Sequence, residues 1–253
     1  MAGDTRLQST VLESLSTAVR YRRWLADLAR PYLGAHPIEI GSGNGDYAAE
    51  WVTPSDRQPP IVTFTATEAD QERAAALARR FAGHPVVRTR PLLVGHDEPT
   101  GDAGLAGATG AAGAEPEHTA AVAYNVLEHI ADDVGAVRAM ARLVRPGGAV
   151  VILVPAFPSA MSRFDVAIGH HRRYTRRTLR QTLTDAGLDI ELLRYVNPVG
   201  LVSWYVTVKG LGVWPDDGWL LRLYDRLVIP IARAVDHEKV PFGQSVFAVA
   251  RVR

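Results

Sequence analysis

At 253 residues, with 47% hydrophobic and 22% charged side chains, the chain has the length and balance of a single α/β domain. Its net charge of +1 gives no broad basic surface and sets nucleic acid aside as a partner, while the absence of cysteine excludes disulfides, thiolate metal sites and cysteine nucleophiles. The opening "MAGDTRLQST" has no apolar signal core and no later run is long enough to cross a bilayer, so a cytoplasmic protein without a transmembrane segment is expected.

In chain order, "LESLSTAVRYRRWLADLARPYL" carries Leu15, Val19, Leu25, Leu28 and Leu33 at roughly helical spacing, which predicts one or two helices punctuated by Pro31 and Pro37. "IEI" enters a glycine-rich turn, and a helical pattern resumes from Tyr47 to Trp51. Ile61, Val62, Thr63 and Phe64 open a second strand, "QERAAALARRF" is the helix after it, and "HPVVRTRPLLV" is a third strand whose arginines make the alternation rough. Residues 98–117, rich in glycine and alanine, have no apolar period and read as a mobile surface loop. "TAAVAYNVLEHI" is a fourth strand running into a polar turn, "DDVGAVRAMARLV" a helix, and "GGAVVILVP" a fifth strand after Pro146. Thr175 caps a further helix with Leu179, Leu183 and Leu188 as its buried stripe. "IELLRYVN" and "QSVFAVARV" then form an antiparallel edge pair. Between those strands Trp204, Trp214, Trp219, Leu220, Leu221, Leu223 and Tyr224 make an apolar insertion. It reads first as core packing, with a substrate lid, a dimer face or a peripheral membrane contact as alternatives. The alternation of strands and helices predicts an α/β, Rossmann-like, doubly wound sheet, mostly parallel, with helices on both faces.

The turn "IEIGSGNGDY" poses the question of a ligand. Gly41, Gly43 and Gly45 let backbone approach an anionic or polar group at a helix start, but their G-x-G-x-G spacing departs from the dinucleotide fingerprint. A nicotinamide-dependent oxidoreductase is disfavoured on that ground. Glu39 lies inside the strand, where a carboxylate needs a cation or donor, and the ammonium of an amino-acid-like ligand supplies one. Glu68, at the end of the second strand, is placed to accept both hydroxyls of a ribose. Asp70 competes for that role but also suits a helix N-cap. Replacing Glu68 is expected to weaken the ligand and leave the fold intact.

Taken in order, "IEIGSGNG", Glu68, "YNVLEHI" and "LVRPGGAVVILVP" resemble the class I S-adenosylmethionine-dependent methyltransferases. The resemblance covers roughly residues 38–155. It implies S-adenosylmethionine as cofactor, its methionyl part held by the turn of Gly41, Ser42, Gly43 and Gly45 with Glu39 near the amino group. Glu68 would hold the ribose, Asn125 and Leu127 would line the cofactor beside the methyl, and His96 or Asp97 would contact adenine. "HTAAVAYN" lacks the aspartate that often opens the fourth strand in this family. One methyltransferase domain then spans 1–253, with an N-terminal helical region at 1–37, a cofactor-binding core at 38–155, and substrate-side loops, apolar insertion and last strands at 156–253.

Methyl transfer is an in-line displacement that needs alignment, and a hydroxyl acceptor also needs a base. Glu128 and His129 follow the fourth strand, near where the methyl should sit, though both could simply cap the turn. The pair resembles that of quinone-pathway O-methyltransferases of the "EMLEH" type, which add a glutamate to bind a divalent metal. Asn125 stands in place of that carboxylate, so no metal is expected. "GHHRRYT" resembles the GHxRRYT signature of methyltransferases associated with polysaccharide and glycoconjugate biosynthesis. There His170 is the expected base and His129 the residue orienting the acceptor. Arg172, Arg173, Tyr174 and Glu128 are the expected acceptor contacts, an arginine clamping a carboxylate or phosphate. The acceptor expected is a small molecule or glycan hydroxyl, with a secondary-metabolite scaffold methylated at oxygen or nitrogen as the alternative. A homo-oligomer and a catalytically silent cofactor-binding module also stay open.

Overall fold

The structure is a computed structural model that describes residues 17–56, 59–94, 118–212 and 219–253; Leu15, His96, Asp97, Trp214 and the loop expected at 98–117 lie outside it. Helix α1 (Val19–Leu33) buries Trp24, Leu25, Ala29 and Leu33; of the expected stripe Leu25 and Leu33 are buried and Leu28 packs half-buried against the core, whereas Val19, at the helix start, is exposed. Pro31 sits inside its last turn and does not end it, since a proline so near the C-terminus removes a single ladder bond.

Among the described residues seven strands follow: β1 (Pro37–Ile40), β2 (Phe64–Glu68), β3 (Val87–Pro91), β4 (His118–Tyr124), β5 (Val144–Pro155), β6 (Asp189–Val196) and β7 (Ser245–Arg251). Their order across the sheet is β3-β2-β1-β4-β5-β7-β6, parallel except for β7, which runs against both its neighbours. Two strands begin elsewhere than the residue pattern suggests. β2 starts at Phe64, because the N–H groups of Val62 and Thr63 donate to the Ala35 carbonyl instead of to a ladder. β5 starts at Val144, where the chain pairs with His118 before a bulge. Arg88 and Arg90 disturb the alternation of β3 at no cost, because that strand is the sheet's edge.

Helices α2 (Asp46–Val52), α3 (Gln71–Arg80), α4 (Asp133–Leu143), α5 (Arg163–Ala167), α6 (Arg176–Asp185), α7 (Pro198–Trp204) and α8 (Trp219–Val235) complete the described chain, α7 continuing into a π-helical turn at Tyr205–Gly210. β5 shows why both faces are covered. Val150, Ile152 and Val154 join a cluster with Leu127, Val137, Met140, Leu179 and Leu183, whereas Val151 and Leu153 join one with Trp24, Leu25, Trp51, Phe64 and Leu77. β1, β2, β4 and β5 all end at one edge of the sheet. There the glycine turn begins, and Asn125 and Phe157, directly beyond β4 and β5, take positive φ (54° and 62°). Backbone strain at strand ends on the ligand-binding edge of an open sheet is a pointer to function.

Candidate active site

The glycine turn is built by sterics on both sides. Gly41, Gly43 and Gly45 have φ of 69°, 53° and 80°, all left-handed. A Cβ on Gly41 would stand 2.8 Å from Val126 Cγ2, and one on Gly45 would stand 2.5 Å from Phe81 Cε2 and 2.7 Å from Leu77 Cδ1. The turn is stitched to β2: Ser42 N–H donates to Thr67 O (2.6 Å), Thr67 N–H to Ser42 Oγ (3.1 Å), and Thr67 Oγ1 to Glu39 O (2.7 Å). Gly45→Ala is therefore expected to cost about 1–3 kcal/mol from strain and overpacking together. A melting temperature within a degree of the parent protein would show that the turn is looser than this.

Two carboxylates face each other across this turn. Glu39, buried in β1, has Oε2 without a hydrogen-bond partner. Burial pushes its pKa up to about 8, the Ser42 hydroxyl pulling the other way and the charge of Glu68 adding to the rise. Glu68 is fully engaged: Oε2 accepts Gly43 N–H at 2.9 Å, and Oε1 accepts Ala69 N–H, Asp70 N–H and the Arg73 guanidinium at 2.9, 3.0 and 3.3 Å. Asp70 caps α3 by accepting Arg73 N–H at 2.9 Å. An intact fold after loss of Glu68 no longer follows, because Gly43 would lose its acceptor.

Beyond β4, Asn125 is exposed and Leu127, Glu128 and His129 form one 3-10 turn. The Leu127 side chain is enclosed in the core and has no surface left for a ligand in this conformation. Glu128 is fully buried with both carboxylate oxygens unpartnered, and burial pushes its pKa up to about 7 against the pull of His170. Burial lowers His129 to about 4, helped by the neighbouring His170, so its ring is neutral near pH 7.

The second loop arrives over this turn. His170 stacks edge-on to His129 with ring centres 4.6 Å apart, and its Nε2 lies 3.8 Å from Glu128 Oε1. Its Nδ1 is 2.8 Å from Asp165 Oδ1. Asp165 is buried, yet its pKa falls to about 2, because bonds from His170, Arg173 and Ser162 outweigh the desolvation that would raise it. An ionised carboxylate only accepts, so His170 carries its proton on Nδ1 and, when neutral, keeps a lone pair on Nε2. Asp165 was not singled out from the residue pattern, although it stands in the stretch "DVAIGHHRRYT"; its N3 position in the capping box with Ser162 was the available signal.

The residues expected on the acceptor are engaged within the protein. Arg173 is buried, donates to Asp165 Oδ1 (2.9 Å) and Ala156 O (3.3 Å), and stacks over Trp204 at 4.4 Å. Tyr174 is buried, its hydroxyl donating to Asp133 Oδ2 at 2.8 Å, and Arg172 pairs with Asp133 Oδ1 at 3.0 Å. With His171 N–H donating to Glu128 O (2.7 Å), these contacts sew the GHHRRYT loop to the turn after β4. Glu128, His129 and His170 each offer a ligand atom within 4.8 Å of the others. His170 thus brings from a distant loop the third donor that Asn125 does not supply, which bears on the expectation of no metal.

This strand order, with a glycine turn after β1 and an acid at the end of β2, is the arrangement that the resemblance to the class I S-adenosylmethionine-dependent methyltransferases implies. Residues 16–193 match the methyltransferase domain family, and the chain belongs to it. Among solved structures it is similar to a chain of the Haloferax volcanii complex between the Trm112 methyltransferase activator and a methyltransferase (TM-score 0.60, 11% identity, 100% of this chain and 99% of that one). It is also similar to geranyl diphosphate methyltransferase in complex with S-adenosylmethionine (0.57, 15%, 92% and 84%) and to the [4+2]-cyclase SpnF (0.55, 18%, 90% and 80%). At such identities the likeness is one of fold. No curated protein sequence matches the chain. The protein is an enzyme of methyl transfer, and S-adenosylmethionine is its cofactor. Glu39 fits that cofactor: a buried carboxylate oxygen without a donor suits an ammonium group.

Proposed function

We propose that the enzyme methylates a hydroxyl of a sugar or glycoconjugate intermediate, with His170 as general base. The observation that carries the reading is the Asp165–His170 hydrogen bond, which fixes the imidazole with an accepting Nε2 in the loop that resembles the GHxRRYT signature. S-adenosylmethionine supplies a methyl carbon on a sulfonium centre. Gly41, Ser42, Gly43 and Gly45 would hold the methionyl part of the cofactor, Glu39 its ammonium and Glu68 its ribose, and Asn125 and Leu127 would line the cofactor. His170 Nε2 would accept the proton of the acceptor hydroxyl, the cofactor supplying a methyl group whose bond to sulfur breaks to leave a neutral thioether. The imidazolium so formed is held between Asp165 and Glu128, and the neutral ring of His129 orients the acceptor. Arg172, Arg173 and Tyr174 act by fixing this loop, Arg172 being the half-exposed member nearest solvent. The division at 37 and 155 and a cytoplasmic site of action belong to the same proposal.

Incubation with methyl-labelled cofactor and a panel of glycosides, polyprenyl-linked sugars and aglycone phenols and amines tests it. Labelling confined to aglycones or amines would transfer the assignment to a secondary-metabolite scaffold. A second reading is favoured by the Glu128, His129 and His170 cluster: a divalent ion bound there would activate the acceptor oxygen in place of a base. Turnover that survives dialysis against a chelator excludes it.

Glu68→Ala is expected to weaken binding of S-adenosylhomocysteine by about 1.5–3 kcal/mol, the range for a charge-assisted hydrogen bond, and also to lower the melting temperature. Unchanged affinity by calorimetry would remove the ribose role from Glu68.

A further inference from the structure

Helix α8 is apolar on two sides. Its inner side buries Asp225, Ile229 and Ala232. On its outer side Trp219, Leu223, Leu227, Ile231 and Val235 recur every fourth residue, and each is between 43% and 66% exposed. Core packing accounts for the first row and not for the second. An apolar row facing water contributes nothing to folding and marks a surface that meets something else.

Charge narrows the occupant. Asp225 is the one acid of α8, and it is used internally, accepting the backbone N–H groups of Arg20 and Tyr21 at 3.0 and 2.8 Å. Arg222 and Arg226 are exposed beside the apolar row, while Arg233 pairs with Asp27 at 2.9 Å. The helical segment against α8, joined to it by the Tyr224–Ser203 hydroxyl contact at 3.1 Å, repeats the composition with exposed Val202, Val206 and Leu211 and with Lys209. Among the described residues no helix is long and apolar enough to cross a membrane. Two copies packed face to face on this helix would bring their arginine rows together with no free acid to meet them, because Asp225, the one acid on each helix, is buried and engaged internally.

We propose that the outer face of α8 binds an anionic lipid surface, lying in the plane of the headgroups with the apolar row inserted and Arg222 and Arg226 on the lipid phosphates. The adjoining helix α7 reaches the active site. Trp204 Nε1 donates to Ala160 O at 2.9 Å, its ring receives the Arg173 guanidinium, and it packs on Phe164. A bilayer bound by α8 therefore lies alongside the loop that carries His170. Resting on the function proposed above, this points to an amphiphilic acceptor, a glycan carried on a lipid and methylated at the membrane surface.

The binding itself is tested without acceptor or cofactor, so its failure is separate from failure of the acceptor assignment. The protein is sedimented with vesicles of phosphatidylcholine alone and of phosphatidylcholine with phosphatidylglycerol. Binding is expected to the second kind, to weaken as salt rises, and to fall roughly tenfold in the Arg222→Gln, Arg226→Gln double variant. The Leu223→Glu, Leu227→Glu, Ile231→Glu triple variant is expected to lose binding while keeping its affinity for S-adenosylhomocysteine; should it fail to keep that affinity, the arginine variant decides alone. No sedimentation with anionic vesicles, sedimentation indifferent to the arginines, or a dimer that the triple variant converts to a monomer would each overturn the proposal.

Discussion

Replacing His170 by alanine is expected to slow methyl transfer roughly a hundredfold or more at saturating cofactor, with S-adenosylhomocysteine affinity preserved. The expectation rests on the Asp165 contact, which leaves Nε2 as the accepting atom beside Glu128. His129→Ala should cost less, because a ring whose pKa lies at about 4 orients by hydrogen bonding and takes up no proton near neutrality. The pH profile supplies a second test. Glu128, displaced by burial to about 7, acquires its charge as pH rises through that value and then stabilises the imidazolium, so turnover should rise with pH over that interval. Glu128→Gln should therefore lower the plateau and flatten the rising limb. Near-normal turnover in the His170 variant together with loss in the His129 variant would exchange the two roles. Full activity in both would leave alignment of acceptor and methyl group as the whole of catalysis.

Glu39→Gln should change binding and stability in opposite directions. The folded pKa of about 8 lies above the ordinary 4.5, so between these values the folded chain holds a proton that the unfolded chain has released. Stability contributed by this group consequently falls as pH rises through that window and is at its lowest above it. A neutral amide removes the dependence. The variant without cofactor should gain on the order of 2 to 4 kcal/mol at pH 8 and almost nothing at pH 4. Cofactor affinity should drop by about 1.5–3 kcal/mol, because the ammonium loses an ionised partner. Wild-type binding at pH 7 should release close to one proton, readable by calorimetry in buffers of different ionisation enthalpy. A variant that binds as tightly as the parent would detach Glu39 from the cofactor.

Period and punctuation made the sheet legible, because strands buried on two faces are written as apolar runs between helical repeats. What escaped was decided at a distance. Val62 and Thr63 look like strand, but their N–H groups find the Ala35 carbonyl first. The double arginine of the GHHRRYT loop looks like a clamp for an anion, yet Arg173 is spent on Asp165 and on the face of Trp204. The juxtaposition of His170 with Glu128 and His129 joins two loops far apart in the chain, and no local spacing announces it. The apolar insertion suggests core packing by composition, which counts hydrophobic residues without showing how many sides of a helix carry them.

The position of β7 bears on how the molecule is assembled. It is last in chain order, yet it stands between β5 and β6, and among the described residues β6 has no other neighbour. Until β7 enters, the outer edge of β5, with Val150, Val151, Ile152 and Val154, has unpaired backbone groups on an apolar strand, the kind of edge that templates aggregation. Pairing of β7 on β5, which joins Ala149 to Arg251, is thus the step that closes the largest sequence separation in the sheet, and such non-local pairing is slow. During synthesis the nascent chain must keep a ready-made edge unsatisfied from Pro155 until Ser245 emerges, so a substitution in β7 such as Ala248→Pro should lower the folded yield through topology and not through the active site.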